Sequence, residues 1–175
     1  MKAALGLTNL EVRRLDLRDP GDERAFDLVL CTDVLEHIEE DALVVKHLAY
    51  ALRPGGALIV TSPSIPQPRH LTLVKWRERR IGFWRSDYGH VRDGNSEATL
   101  SRLFDNVGLT IDRIGRTFGR FGTLMFDVFF VTGDSRPHPP VYLLLLPLYM
   151  LLSALDLAFP GRQGAAILGV ARKPA

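Results

Sequence analysis

Two stretches decide the fold: Phe26-Asp-Leu-Val-Leu-Cys-Thr-Asp-Val-Leu-Glu-His37 and Leu52-Arg-Pro-Gly-Gly-Ala-Leu-Ile-Val60. From Phe26 to Cys31 the side chains are almost all apolar and β-favouring, which predicts a short strand buried on both faces. After Thr32 and Asp33, the residues Leu35, Ile38, Leu43, Val44, His47, Leu48 and Leu52 recur at spacings of three to five, predicting a helix over 34–52. Arg53-Pro-Gly-Gly56 stops it, since proline and glycine cannot extend a helix favourably. Ala57 to Thr61 then reads as a second buried strand. Strand, helix, tight stop and strand in this order is the rhythm of a parallel α/β sheet.

Working outward, Glu11 to Leu17 reads as an extended strand finishing near Asp16, and the short Lys2–Leu7 piece as the end of a helix. Residues 62–95 are interrupted by Pro63, Pro66 and Pro68. They mix Arg69, Lys75, Arg77, Arg79, Arg80 and Arg85 with Trp76, Phe83, Trp84 and Tyr88, a loop-rich, basic and aromatic insert. Ser96 is a suitable cap for a helix over 96–107, whose Leu100, Leu103, Phe104 and Val107 form one face. Gly108 ends it, Leu109–Ile114 alternates like a strand, and Ala165–Ala171 reads as the last strand. Two apolar runs lie between these strands: 123–132, interrupted only by Asp127, and 141–159, interrupted by Ser153 and Asp156. Gly115, Gly119 and Gly122, with Arg116 and Arg120, lack the spacing of a phosphate loop and read as a flexible turn.

The 175 residues suit one domain, and their single cysteine excludes both an internal disulfide and a cysteine-based zinc cage. Residues 1–10 carry no secretory pattern, so a reducing, cytoplasmic setting is expected. Net charge is only +2, but residues 1–60 hold eleven acids against seven Lys/Arg and residues 61–175 nine against fifteen. The basic second half also carries both tryptophans, which favours an anionic or membrane-surface partner there.

The succession of Phe26-Asp, Val29, Leu35-Glu-His37 and Leu52-Arg-Pro-Gly-Gly56 closely resembles class I S-adenosylmethionine-dependent methyltransferases. Gly89-His-Val-Arg92, the 96–107 helix and the final strand with Arg172-Lys-Pro174 resemble later parts of that family. The resemblance implies an α/β fold with a partial Rossmann-like sheet, made of strands 3 to 7 of the family pattern. It implies one incomplete methyltransferase domain over 1–175, with a cofactor-fold remnant at 11–61, a substrate-covering insert at 62–95 and an apolar helical insert at 119–160.

S-adenosyl-L-methionine is the implied cofactor. Asp16 would accept from the adenine amine, Leu17 would lie against the ring, and Cys31 and Thr32 would line the methionine end. Asp33, at the same strand end, would reach the ligand, because open parallel sheets bind ligands beyond their carboxyl edge. For a hydroxyl acceptor, transfer needs a general base, and the candidates are His90, His70 and His37. Asp33-x-x-Glu36-His37 also resembles the acid-x-x-Glu-His arrangement that ubiquinone-biosynthesis O-methyltransferases associate with a divalent metal, the alternative to a metal-free site. The acceptor implied is small or lipid-linked. Nucleic acid is not expected, because no Asn/Asp-Pro-Pro-Tyr-type motif follows the 26–31 strand.

The family's Gly-x-Gly-x-Gly cofactor loop is not in this sequence. The expectation is weak cofactor binding by this chain and an exposed sheet edge that a partner chain could cover. Three readings of Val141–Phe159 stay open: a helix packed on the domain, an in-plane membrane helix acting with residues 69–88, or the wall of a lipid-sized pocket.

Overall fold

The computed structural model describes residues 8–21, 23–81, 89–132, 139–161 and 163–175. The expected Lys2–Leu7 helix end and Phe83, Trp84, Arg85 and Tyr88 lie outside these residues. The elements are β1 (Phe26–Thr32), a single 3₁₀ turn at Leu35–His37, α1 (Asp41–Ala51), β2 (Leu52–Pro63), α2 (Thr72–Ile81), α3 (Glu97–Asp105), β3 (Thr110–Thr117), α4 (Arg120–Thr132), α5 (Pro139–Ala158) and β4 (Ala166–Arg172).

The strands form one four-stranded sheet in the order β1-β2-β4-β3. β1 and β2 run parallel, with Thr32 opposite Thr61. β4 is inserted antiparallel between β2 and β3, so Ala166 stands opposite both Pro63 and Thr117. The carboxyl ends of β1, β2 and β3 and the start of β4 therefore share one edge.

One face of the sheet is buried. Leu58 and Val60 of β2 and Ile167 and Ala171 of β4 pack with Val44 and Val45 of α1 and Leu100, Leu103 and Phe104 of α3. α3 is the helix whose local signals are clearest: Ser96 Oγ accepts from Thr99 N, and its apolar face is buried as the spacing predicts. Gly169 leaves room for Phe104; a Cβ there would lie 2.7 Å from the ring.

Three expectations are corrected. β1 is not buried on both faces: Cys31 is buried, but Phe26, Leu28 and Leu30 are exposed on an edge strand. Residues 11–17 are not a strand, so the sheet has four strands rather than five. Local polar bonds hold that segment instead: Arg13 pairs with Glu11, and Asp16 accepts from both the backbone and the guanidinium of Arg18. Leu17 O is bound to His47 Nδ1 on α1 at 3.1 Å.

The third correction is that the helix expected from residue 34 begins at Asp41. The carbonyls a continuous helix would use are already taken: Glu36 O accepts from Val91 N at 2.8 Å, and Ile38 O and Glu39 O accept from the Arg92 guanidinium. A remote loop has outcompeted the i→i+4 ladder.

The 62–95 insert contains α2, which its prolines and charges concealed. Leu71 O accepts the first helical bond, from Lys75 N. The amides of His70 and Leu71 donate to Asp127 Oδ2 of α4 at 2.6 and 2.8 Å. The 115–122 glycine cluster is the end of β3 and the first turn of α4, not a free turn. There the amides of Gly119, Phe121 and Gly122 donate to the Asp156 carboxylate of α5. An anion does occupy this helix start, and it is the chain's own.

Candidate functional site at the carboxyl edge of the sheet

A cavity of about 380 Å³ opens at the shared strand edge, between Asp33, Pro63, Phe118, Ala165 and Ala166. Its polar wall holds Glu36, His37, His90, Gln67 and Arg69, and its apolar wall is Phe118, Phe126, Phe129 and Phe130. Phe118 lies between β3 and α4, and the others come from one face of α4, where positions 126, 129 and 130 recur at helical spacing. They pack on one another, with Phe118 edge-on to Phe126 and Phe129 edge-on to Phe130.

The Gly89-His-Val-Arg92 loop builds the polar wall. Arg92 pairs with Asp41 as well as the two carbonyls, and Val91 N binds Glu36 O, which fixes His90 beside the 3₁₀ turn. The rings of His37 and His90 meet edge-on with centroids 4.7 Å apart. His37 Nδ1 lies 3.2 Å from Gly89 O. A carbonyl can only accept, so Nδ1 carries a hydrogen, and in the neutral ring Nε2 is the nitrogen with the lone pair.

Glu36 is buried, and its Oε2 has no hydrogen-bond partner. Burial pushes its carboxyl above the ordinary range, with Asp33 adding to the rise and His37 and Ser62 opposing it. Its ligand atom and those of His37 and His90 all lie within 4.8 Å of one another, a donor set suited to a divalent metal. Asp33 lines the cavity but is not in that set, so the expected Asp33-Glu36-His37 alternative is replaced by Glu36, His37 and His90.

A raised carboxyl pKa in the folded state means that the folded protein binds more protons than the unfolded chain just above the unfolded value, about 4.3 for glutamate. Stability then falls as pH rises through the folded-state value. Glu36→Gln is expected to be more stable than the parent at neutral pH and to match it near pH 4, measured by thermal melts across pH. A Glu36→Gln variant that melts lower at neutral pH would mean that the carboxylate is held by a cation.

The other expected site residues are scattered. Asp16 and Leu17 line a separate cleft with Phe26, Val29, His47 and Leu48. The cleft and the edge cavity have no lining residue in common. Hydrogen bonds from Arg18 hold the exposed Asp16 carboxyl at about 2. Cys31 faces the core, and burial pushes its thiol up to about 11, so it is neutral at physiological pH. Thr32 is exposed, and Asp33, with φ +51, accepts weakly from Thr61 Oγ1 at 3.4 Å. The His70 side chain is exposed outside the cavity, and only its backbone amide is engaged. The sequence reading missed Gln67 and the four phenylalanines as site residues; helical spacing within an apolar run was the available signal for Phe126, Phe129 and Phe130. Arg69, read there only as part of the basic insert, is buried between Glu78 and Asp127 and stacks over Phe130 at 5.1 Å.

A family profile described as "Methyltransferase domain" matches residues 8–114, which takes in β1, β2, the 3₁₀ turn and the 89–92 loop. The chain belongs to this methyltransferase family. It is 25% identical over 103 residues to a ubiquinone biosynthesis O-methyltransferase of Xanthomonas euvesicatoria pv. vesicatoria, covering 59% of this chain and 42% of that protein. Against the enzyme of the same name from Xanthomonas axonopodis pv. citri the identity is 24% over 107 residues, covering 60% and 45%. The chain thus spans less than half the length of these curated relatives.

Among solved structures, an S-adenosylmethionine-dependent methyltransferase from Mesorhizobium loti superposes with a TM-score of 0.55 at 17% identity, over 92% of this chain and 68% of that one. The cyclase SpnF superposes with a TM-score of 0.58 at 17% identity, over 99% and 60%. These likenesses establish the Rossmann-like α/β fold. The chemistry has to be argued from the cavity.

Proposed function

We propose that this chain carries the acceptor side of S-adenosylmethionine-dependent methyl transfer to the hydroxyl of a small, apolar or lipid-linked acceptor. The observation that carries the reading is the edge cavity itself, where a histidine with a fixed tautomer faces a wall of phenylalanines. An aromatic or prenyl-like body packs against Phe126, Phe129 and Phe130 while its hydroxyl meets the His37–His90 side. The cofactor, when bound, would supply the methyl group and take the leaving electron pair on its sulfur; His37 Nε2 would accept the hydroxyl proton as the acceptor oxygen is methylated. Asp33 and Thr32 at the end of β1 support the cofactor's methionine end, and Asp16 and Leu17 its adenine end.

Because these groups are split between two concavities, the cofactor is held weakly by this chain. Calorimetric titration with S-adenosylmethionine is expected to show no micromolar binding. At millimolar cofactor, radiolabelled methyl is expected to appear on a hydroxyl-bearing aromatic acceptor with an isoprenoid tail. Micromolar affinity overturns the weak-binding claim, and no transfer at any cofactor concentration overturns the chemistry.

A second reading of the same cluster places a divalent cation on Glu36, His37 and His90, supported by the orphaned Glu36 Oε2. Such a cation would polarise the acceptor hydroxyl as a Lewis acid. A rival of a different class, a non-catalytic membrane- or subunit-binding module, is supported by the exposed edge of β1 and predicts no transfer.

A further inference from the structure

α5 is twenty residues long and reaches a mean hydropathy of 2.0 over eighteen of them, yet 6% of that stretch is buried. Among its residues only Leu152 is fully buried. One stripe meets α4: Tyr142 stacks on Phe129 at 5.7 Å, Ser153 Oγ donates to Met125 Sδ, and Asp156 caps the start of α4. The remaining surface exposes Leu143, Leu144, Leu146, Met150, Leu151 and Leu157, with Leu144 79% and Leu157 85% accessible. That is more contiguous apolar surface than a water-soluble face ordinarily carries.

Among the described residues of α2, α4 and α5 the fully exposed charges are cations, and the partly exposed Glu78 of α2 is paired with the buried Arg69. The only acids of α4 and α5 are Asp127 and Asp156, and both face inward onto backbone amides. α2, tied to the end of α4 through Arg77 Nη1 to Phe130 O, exposes Lys75, Arg79 and Arg80. Trp76, half-exposed with Arg80 stacked on it at 5.6 Å, and the exposed Leu73 and Val131 line a second apolar patch between α2 and the end of α4, beside these cations. An apolar face whose helices α4 and α5 show no exposed carboxylate among the described residues, together with the cations and tryptophan of α2, is the composition that seats in an anionic bilayer surface.

We propose that the α4–α5 hairpin and the basic face of α2 form a monotopic docking surface for an anionic lipid bilayer. The hairpin lies in the interface and does not span. α4, with thirteen residues, is about 20 Å long, short of the roughly 30 Å hydrocarbon core. Both ends of α5 are fastened to the domain, at Phe129 and at the amides of Gly119–Gly122, and β4 re-enters the sheet at Ala166. This inference is independent of the chemistry in the cavity, although it would bring the phenylalanine wall to the level of the acyl chains.

The test is flotation of the full chain with phosphatidylcholine vesicles with and without phosphatidylglycerol. It is run on the parent, on Leu144→Glu/Leu151→Glu and on Lys75→Glu/Arg79→Glu, each checked for parental helix content by circular dichroism. The expected result is flotation with anionic vesicles, abolished by the leucine pair. The charge-reversed pair should reduce it at least about tenfold, given the attraction of each cation to an anionic surface. Equal flotation with neutral vesicles, or indifference to both variants, overturns the proposal. So does a chain that stays unbound, whether monomeric or as a dimer that the leucine variants dissociate.

Discussion

Asp127→Ala is expected to destabilise the protein by about 3 kcal/mol and to lower its melting temperature by about 10 °C. Asp127 is fully buried and accepts the backbone amides of His70 and Leu71 at the start of α2. Its other oxygen lies 3.9 Å from Arg69, whose side chain is 5% exposed. Removing the carboxylate leaves two amides without an acceptor and takes a negative charge from the positive end of a helix. It also leaves Arg69 with Glu78 as its remaining ionic partner. Asp127→Asn keeps one acceptor oxygen and is expected to lose about half as much. The loss should be local first: hydrogen exchange over residues 67–81 speeds up in Asp127→Ala while α1 and α3 stay protected. Uniform acceleration across the sheet would show that α2 is not a separate unit of stability. Because Gln67 and Arg69 line the cavity opposite α4, the same change also loosens its walls.

That carboxylate shows where sequence reading reached and where it stopped. β1, α1, β2, α3 and β4 rest on short-range patterns: apolar runs, 3.6-residue spacing, a serine cap and a proline–glycine stop. These survive folding because neighbouring elements supply the partner surface. Asp127 and Asp156 were visible as lone acids in apolar runs. Their partners are amides 56 and 35 residues away in the chain, and no local pattern encodes such a pairing. The hidden α2 follows from the same cause, since its start is capped from α4 rather than by its own neighbours.

The break at residues 38–40 was equally illegible, because the Arg92 guanidinium that takes the helix carbonyls comes from another loop. The strand expected at 11–17 failed for the converse reason. Its extended pattern was real, but strands are stabilised in pairs, and nothing pairs with it among the described residues. In the cavity wall, Glu36, His37 and His90 come within 4.8 Å of one another, whereas the sequence grouped the first two with Asp33 by proximity in the chain. The loop fold substitutes His90 for Asp33.

His37→Ala is expected to lower kcat for methyl transfer by a factor of about 10² to 10⁴ with little change in KM for the acceptor, because a general base acts in the transition state more than in binding. The side chain also anchors the Gly89 carbonyl, so the alanine variant alone does not separate base from strut. Asparagine does: its side-chain amide can still donate to Gly89 O, but it offers no basic nitrogen. If His37 is the base, His37→Asn loses about as much activity as His37→Ala while keeping the parental melting temperature. If the ring only positions the loop, His37→Asn recovers most of the rate. His90→Ala removes the ring packed edge-on against His37 and should give a smaller loss, since the Gly89 contact that fixes the tautomer remains. His70→Ala should leave the rate unchanged, because its side chain points outside the cavity and only its amide is used. A rate loss at His70 equal to that at His37 would place the acceptor hydroxyl elsewhere and overturn the assignment of the base.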